Sequence, residues 1–263
     1  MEMLQTLVGA GEFNLERITQ LAAIFTRISA LVFFLPGLGE RTVPVRVRLG
    51  AAMAIALILA PLVLTNAPAL SSISLSSSAL MFAAEAVCGA LIGFSIRVAI
   101  FAIQTAGAII AQSLSLAQLF GSGLTMEPES PIATLLMVAG VVLAVSTGLH
   151  FKAIGVLLIS YDVMPLGLFP GASETGQWAA DRAGFAFASA LSLALPFIVL
   201  GFVYNLAIGA ANRAMPQLMV AFVGIPAVTF AGLALLALSA PVLLDVWLGM
   251  VDDIINVFLE QLS

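Results

Sequence analysis

The sequence offers few side chains with which to do covalent chemistry. His150 is the only histidine and Cys88 the only cysteine among 263 residues. A thiolate or imidazole metal site needs several such ligands at close spacing, and an intrachain disulfide needs a second thiol, so neither is expected. Cys88 stands inside an apolar run and reads as a small buried hydrophobe. His150 reads as a hydrogen-bonding residue at the end of an apolar segment, with Lys152 snorkelling beside it. The serines between positions 71 and 78 have no histidine near them, which weakens an acyl-transfer reading. The chain also lacks a phosphate-binding glycine loop, a dinucleotide fingerprint, a GxSxG elbow and an HExxH pair. No catalytic residue, cofactor or metal is expected.

What remains is charge placed where charge is costly. Arg27, Glu85 and Arg97 lie inside apolar segments, where an unpaired charge costs several kcal/mol. Glu85 and Arg97 stand about 18 Å apart along one helix and cannot pair with each other. Each needs a partner elsewhere, which for Glu85 is either Arg27 or a basic group of another subunit. The functions open to such groups are packing by a buried ion pair or, less directly, ion conduction.

A second unusual feature is the uncharged polar stretch from Gln104 to Gly123. Gln104, Gln112, Ser113, Ser115 and Gln118 interrupt small and aliphatic residues, and Gly107, Gly121 and Gly123 permit tight turns and close backbone approach. Lipid is a poor surrounding for side-chain amides, so these should face protein or an aqueous lumen. Helix packing and a lumen-lining or blocking segment are both compatible with that pattern.

The elements that hold these groups follow from composition. Hydrophobic residues make up 62% of the chain and charged residues only 9%, against roughly 25% charged in a soluble domain. With a formal net charge of -5 and no basic run, a nucleic-acid partner is not expected. Crossing about 30 Å of hydrocarbon takes about 20 helical residues. Hydropathy and turn signals mark segments near 18–35, 49–64, 79–106, 132–160, 183–207 and 218–243, giving six spans, or five if Arg27 disqualifies the first. Arg41, Arg46 and Arg48 between the first two segments, and Arg213 after the fifth, place both loops in the cytoplasm. The linker at 162–182 and the acidic carboxyl end then face outward. The amino terminus carries Glu2, Glu12 and Glu16 and does not read as a secretory signal. Pro196 and Pro226 should kink their helices, as in many membrane helices or in helices packed into an assembly. Small residues at helical spacing, Gly89 with Gly93 and Gly201 with Asn205, let neighbouring helices approach closely.

Taken in order along the chain, these residues resemble the R subunit family of the flagellar and type III secretion export gate. The resemblance starts with Arg27, Pro36, Gly37, Pro44, Arg46 and Arg48 and continues with Glu85, Gly89, Ile92 and Gly93. It runs through Gly107 to Gln118, then His150, Ser160, Tyr161, Pro165 and Gly167. Leu195, Pro196, Asn205, Arg213, Pro216, Gln217, Gly224, Pro226 and Gly232 complete it, so it covers nearly the whole chain. Glu127 before Pro128 departs from the family's usual aspartate, and Leu114–Leu116 from its Gly-Phe pair.

The resemblance implies an all-α polytopic membrane protein and a noncatalytic protein-conducting gate. Residues 1–182 would be like a P subunit, and 183–263 would be like a Q-type helical hairpin fused to it. Residues 107–123 would correspond to an internal plug, with Gln104, Gly107, Gln112, Ser113, Ser115, Gln118, Gly121 and Gly123 at the lumen. Arg27, Glu85, Arg97, His150 and Asn205 would serve buried or intersubunit contacts. One copy of the chain would join P and Q subunits in the inner membrane, within the basal body and extending toward the periplasm. A switch subunit, an export ring protein, membrane lipid and unfolded exported proteins would be its other partners. The competing reading is a small-solute secondary transporter, which requires inverted halves and broken helices around a midplane site.

Overall fold

The computed structural model describes residues 2–40, 42–65, 74–114, 130–214 and 220–262, with side chains described within 15–256 except at 212 and 220–225. Among the described residues every regular element is a helix. They are α1 (Glu2–Phe34), α2 (Val45–Thr65), α3 (Leu75–Ser113), α4 (Pro131–Ser146), α5 (Leu149–Val163), α6 (Ala172–Ala214) and α7 (Val220–Leu262). Helices are what such a sequence must form, because hydrocarbon offers no partner for backbone N–H and C=O groups. Among the described residues five stretches are long and apolar enough to cross a membrane: Leu15–Phe34, Val45–Thr65, Leu75–Ser113, Ala172–Ala211 and Pro226–Asn256. The pair α4 and α5 makes a sixth if it counts as one span.

Several boundaries differ from the sequence reading, among them the start of α1, at Glu2 rather than near 18, and the end of α7, at Leu262 rather than near 243. The expected single segment at 132–160 is broken, and α4 and α5 meet at 68°. The break is made by Gly148, whose φ of 80° lies in the left-handed region and cannot continue a right-handed helix. The third helix does not stop near Ala106 but continues to Ser113, so Gly107, Gln112 and Ser113 are helical residues. The sixth helix starts at Ala172 rather than near 183, and the charges Glu174, Asp181 and Arg182 sit on it. Prolines do not end the helices, although each removes one ladder hydrogen bond: α2 runs through Pro61, α6 through Pro196, and α7 through Pro226 and Pro241.

The chain forms two compact units, each made of separate stretches. The first comprises Met1–Arg97, Thr147–Ala179 and Asp253–Ser263. Within it α1 packs along α2, and α2 touches α5. Its core joins Ile24, Ile28 and Leu31 of α1 to Ala84, Cys88 and Ile92 of α3 and to Ala153 and Leu157 of α5. Here α1 and α3 run in the same direction, since Arg27 lies against Glu85 and Gly89, Leu31 and Phe34 against Gly93, and Glu40 against Arg97.

The second unit comprises Val98–Ser146 and Ala180–Asp252. Ile103, Ala106 and Ile110 of α3 and Leu114 just after it are buried in it, as are Leu136 and Ala144 of α4 and Phe197 of α6. Trp247 of α7 is fully buried and donates its indole N–H to the carbonyl of Ala99 at 2.7 Å. Gly140 clears the face of that ring: a Cβ there would lie 3.3 Å from it.

Candidate functional site

Among the described residues a buried polar cluster is centred on Arg27, which lies in the carboxyl-terminal part of α1 and is fully buried. Its Nε donates to Glu85 Oε2 at 2.7 Å and its Nη2 to Glu85 Oε1 at 2.9 Å, a bidentate pair with both side chains shut off from solvent. Nη2 also donates to the Met164 carbonyl at 2.9 Å. Nη1 donates to Ser160 Oγ at 3.2 Å and to the Ser160 carbonyl at 3.4 Å. These contacts use all five N–H donors of the guanidinium, the condition under which a buried charge is tolerated. The ring of Tyr161 covers the remaining face, 3.9 Å from the guanidinium carbon.

Glu85 is satisfied from the other side by the backbone amide of Gly167 at 2.9 Å. Gly167 holds a φ of 84°, a conformation open to glycine without strain, and this turns its amide toward the carboxylate. Three elements and one turn therefore converge on a single charge pair: α1, α3, the end of α5, and the turn after it. Glycines allow the approach. A Cβ at Gly89, one turn after Glu85, would collide with the Arg27 carbonyl, and one at Gly93 would lie 2.7 Å from the Phe34 Cβ. Cys88 lies beside this cluster and donates weakly through Sγ to the Leu168 carbonyl at 3.8 Å.

Of the two partners that the sequence left open for Glu85, the structure pairs it with Arg27. Arg97 is held by Glu40, a residue the sequence reading did not single out. That pair is partly exposed, and the Glu40 carbonyl also accepts from Arg48. Its only sequence signal was position. Glu40 follows the turn at Pro36–Gly39 and comes 57 residues before Arg97, close to the 58 separating Arg27 from Glu85. His150 is half-buried with its ring 4.1 Å from that of Phe151. Asn205, Arg46 and Arg213 are exposed on the chain. Arg41, Ser115, Gln118, Gly121 and Gly123 lie outside the described residues.

The described part of the polar stretch is helical. Gln104 is half-buried, Gln112 exposed, and the Ser113 hydroxyl donates to the Ile109 carbonyl at 2.8 Å. Gly107 serves close packing rather than a turn, because a Cβ there would lie 2.6 Å from the Ala133 Cα of α4. Among the described residues no group of three or more His, Cys, Asp or Glu could hold a metal ion.

Comparison with known proteins finds relatives along nearly the whole chain. The chain is 33% identical over 239 residues to the flagellar biosynthetic protein FliR of Caulobacter vibrioides, covering 90% of this chain and 94% of that one. To the FliR of Escherichia coli it is 30% identical over 239 residues, 90% of each chain. To that of Pectobacterium carotovorum it is 30% identical over 243 residues, 91% of this chain and 92% of the other. The chain acts in protein export and flagellum biogenesis and is not an enzyme. Residues 18–254 match the family of bacterial export proteins, family 1, almost from end to end, and the chain belongs to that family.

Proposed function

We propose that this chain is a structural and gating subunit of the flagellar protein-export channel, helping to form and to plug a conduit for unfolded proteins. The reading is carried by one observation: α3 leads through Gln104, Gln112 and Ser113 directly into the segment Ser115–Gly123, which carries Ser115, Gln118 and Ser122 and no charge. A segment at the end of a packed helix whose hydroxyl and amide groups are poorly accommodated by lipid can block a passage and later leave it. Of the proposed plug segment 107–123, residues 107–113 are helical, so the deletion that tests it is made beyond them.

In this proposal residues 1–182 act as the P-like part and 183–263 as the Q-like hairpin. That division follows the chain, and each part contributes to both compact units. One copy joins P and Q subunits in the inner membrane. Arg46, Arg48 and Arg213 lie on the cytoplasmic side, toward the switch subunit and the export ring protein. The helices support an extension toward the periplasm by their length. At 43 residues each, α6 and α7 are about 64 Å long, twice the thickness of the hydrocarbon. Energy comes from other components, since the chain carries no nucleotide-binding motif.

The test is deletion of 115–123 in the assembled complex. The expected result is an unchanged yield of complex with a membrane that leaks small ions. A complex that assembles and stays equally tight contradicts the plug.

A further inference from the structure

Helix α7 buries one face and leaves the opposite one uncovered. Leu236, Leu243 and Trp247 are buried in the second unit. Across the helix from them, Ala231, Ala234, Leu238, Val242, Asp245 and Gly249 are all exposed. Their steps of three and four residues set them in a single stripe about 27 Å long. The stripe is apolar at Leu238 and Val242, which are 81% and 66% exposed, and charged at Asp245. Asp245 has no hydrogen bond or ion pair with any other described residue.

Neither water nor lipid suits this stripe. In the proposed topology α7 starts from the cytoplasmic side at Val220, and hydrocarbon covers about 20 of its residues, to about position 240. Val242 and Val246 then stand in water with their methyl groups uncovered. If lipid reaches far enough to cover them, the carboxylate of Asp245 stands between them in hydrocarbon, where ionised side chains turn toward protein or water. A protein surface that is apolar and carries one cation answers both demands. Gly249, one turn beyond Asp245, narrows the shape of that surface. A Cβ there would meet nothing within 4 Å, so no neighbour within the chain requires glycine at this point of a helix. This glycine and the alanines at 231 and 234 let another backbone come close, as a second helix does.

We propose that this stripe of α7 docks a helix of another subunit, one that presents apolar side chains and a single Arg or Lys to pair with Asp245. The inference rests on the reading of the chain as one subunit of a hetero-oligomeric channel and adds the chemistry of one of its contacts. The carboxylate sets the register of the docked helix. Apolar stripes can slide past each other by a turn, whereas one charge pair is satisfied in one position only. A second copy of α7 does not fit, because the helix contains no Lys or Arg to offer.

The test uses the complex purified in mild detergent from native membranes through a tag on this chain. Asp245→Lys should lower the yield of co-purifying subunits at least about tenfold, since it sets like charges together in the contact. Asp245→Asn should lower it less. Both variants should melt like the parent as separate chains, because Asp245 makes no polar contact within the chain. A photo-crosslinking residue at position 238, followed by sequencing of the joined peptide, should reach an apolar helix with an Arg or Lys about two turns from the joined residue. Exchange of that residue for Glu should restore the yield lost in Asp245→Lys. Where Asp245→Lys unfolds the chain, the crosslink decides.

Full yield with Asp245→Lys overturns the proposal. So does a crosslink from position 238 to lipid alone, to a second copy of this chain, or to a segment without a basic residue. In each of these cases other subunits still co-purify with the parent, and the channel reading stands. A parent chain that purifies without any other subunit overturns both.

Discussion

At the scale of single residues, Arg27 is fixed by geometry more than by charge. A positive group at position 27 would satisfy Coulomb attraction to Glu85, but only a guanidinium reaches Glu85, Ser160 and Met164 together. Arg27→Ala or Glu85→Ala leaves its partner buried and unpaired, and each is expected to cost about 3–5 kcal/mol, read as lower thermal stability in detergent. Arg27→Lys should lose much of that as well. The exchanged pair Arg27→Glu with Glu85→Arg should not restore stability. It would set a carboxylate against the carbonyls of Ser160 and Met164, and a guanidinium against the Gly167 amide. Recovery by the swap would show that the surrounding hydrogen bonds contribute little. Tyr161 supplies a contrast, because its ring covers the guanidinium while its buried hydroxyl has no hydrogen-bond partner. Tyr161→Phe keeps the ring and removes an unsatisfied group, so stability should hold or rise by up to about 1 kcal/mol. A marked loss in the same melting experiment would mean that the hydroxyl is bonded after all.

At the scale of elements, glycine placement decides which helices touch. Gly89 and Gly93 follow Glu85 at one-turn intervals and clear the face on which α1 lies. Either one changed to alanine should separate α1 from α3 and cost about 1–3 kcal/mol in thermal unfolding. At Gly184 or Gly209, where a Cβ meets nothing, alanine should instead be neutral or gain up to about 1 kcal/mol through helix propensity. Similar losses at all four sites would refute the packing argument. The helices themselves were legible in the sequence because hydropathy reports length, and Pro36 with Gly37 marks a real turn. The break at Gly148 was not. A lone glycine between apolar runs looks the same whether its φ is helical or left-handed, and packing decides which. Gly107 was legible in part: the sequence allowed a tight turn or a close backbone approach there, and the nearness of Ala133 selects the second, inside α3. The start of α6 was obscured by Asp181 and Arg182, charges that suggest a linker when helices are assumed to stop at the membrane surface. Glu40 could not be matched to Arg97 before the register of α1 against α3 was known. The Arg27 and Glu85 cluster was half visible. Both residues stood out as misplaced charges, whereas the Ser160, Met164 and Gly167 contacts depend on a turn far away in sequence.

At the scale of the whole molecule, charge and helix length together set an orientation that can be measured. The first turns of α6 carry Glu174, Asp181 and Arg182, and the last turns of α7 carry Asp252 and Asp253. Hydrocarbon about 30 Å thick can cover only about 20 residues of a 43-residue helix, so these charged ends project beyond it. The other ends of the two helices meet at the connection that holds the exposed Arg213, and Arg46 begins α2. In the proposed topology the arginine-bearing ends face the cytoplasm, as the positive-inside rule favours, and the acidic ends then face outward. Cysteines at Glu174 and Asp253, both exposed, should therefore react with a membrane-impermeant maleimide in cells whose outer membrane alone is permeabilised. Cysteines at Arg46 and Arg213 should react only after lysis. Cys88, fully buried, should stay unlabelled in both conditions and keep the background low. The reverse pattern would invert the topology and place the segment after α3 on the opposite side from the one the plug requires. Labelling of all four sites from outside would mean that the charged ends do not lie across a membrane from one another, leaving the length of α6 and α7 to be explained by protein contacts alone.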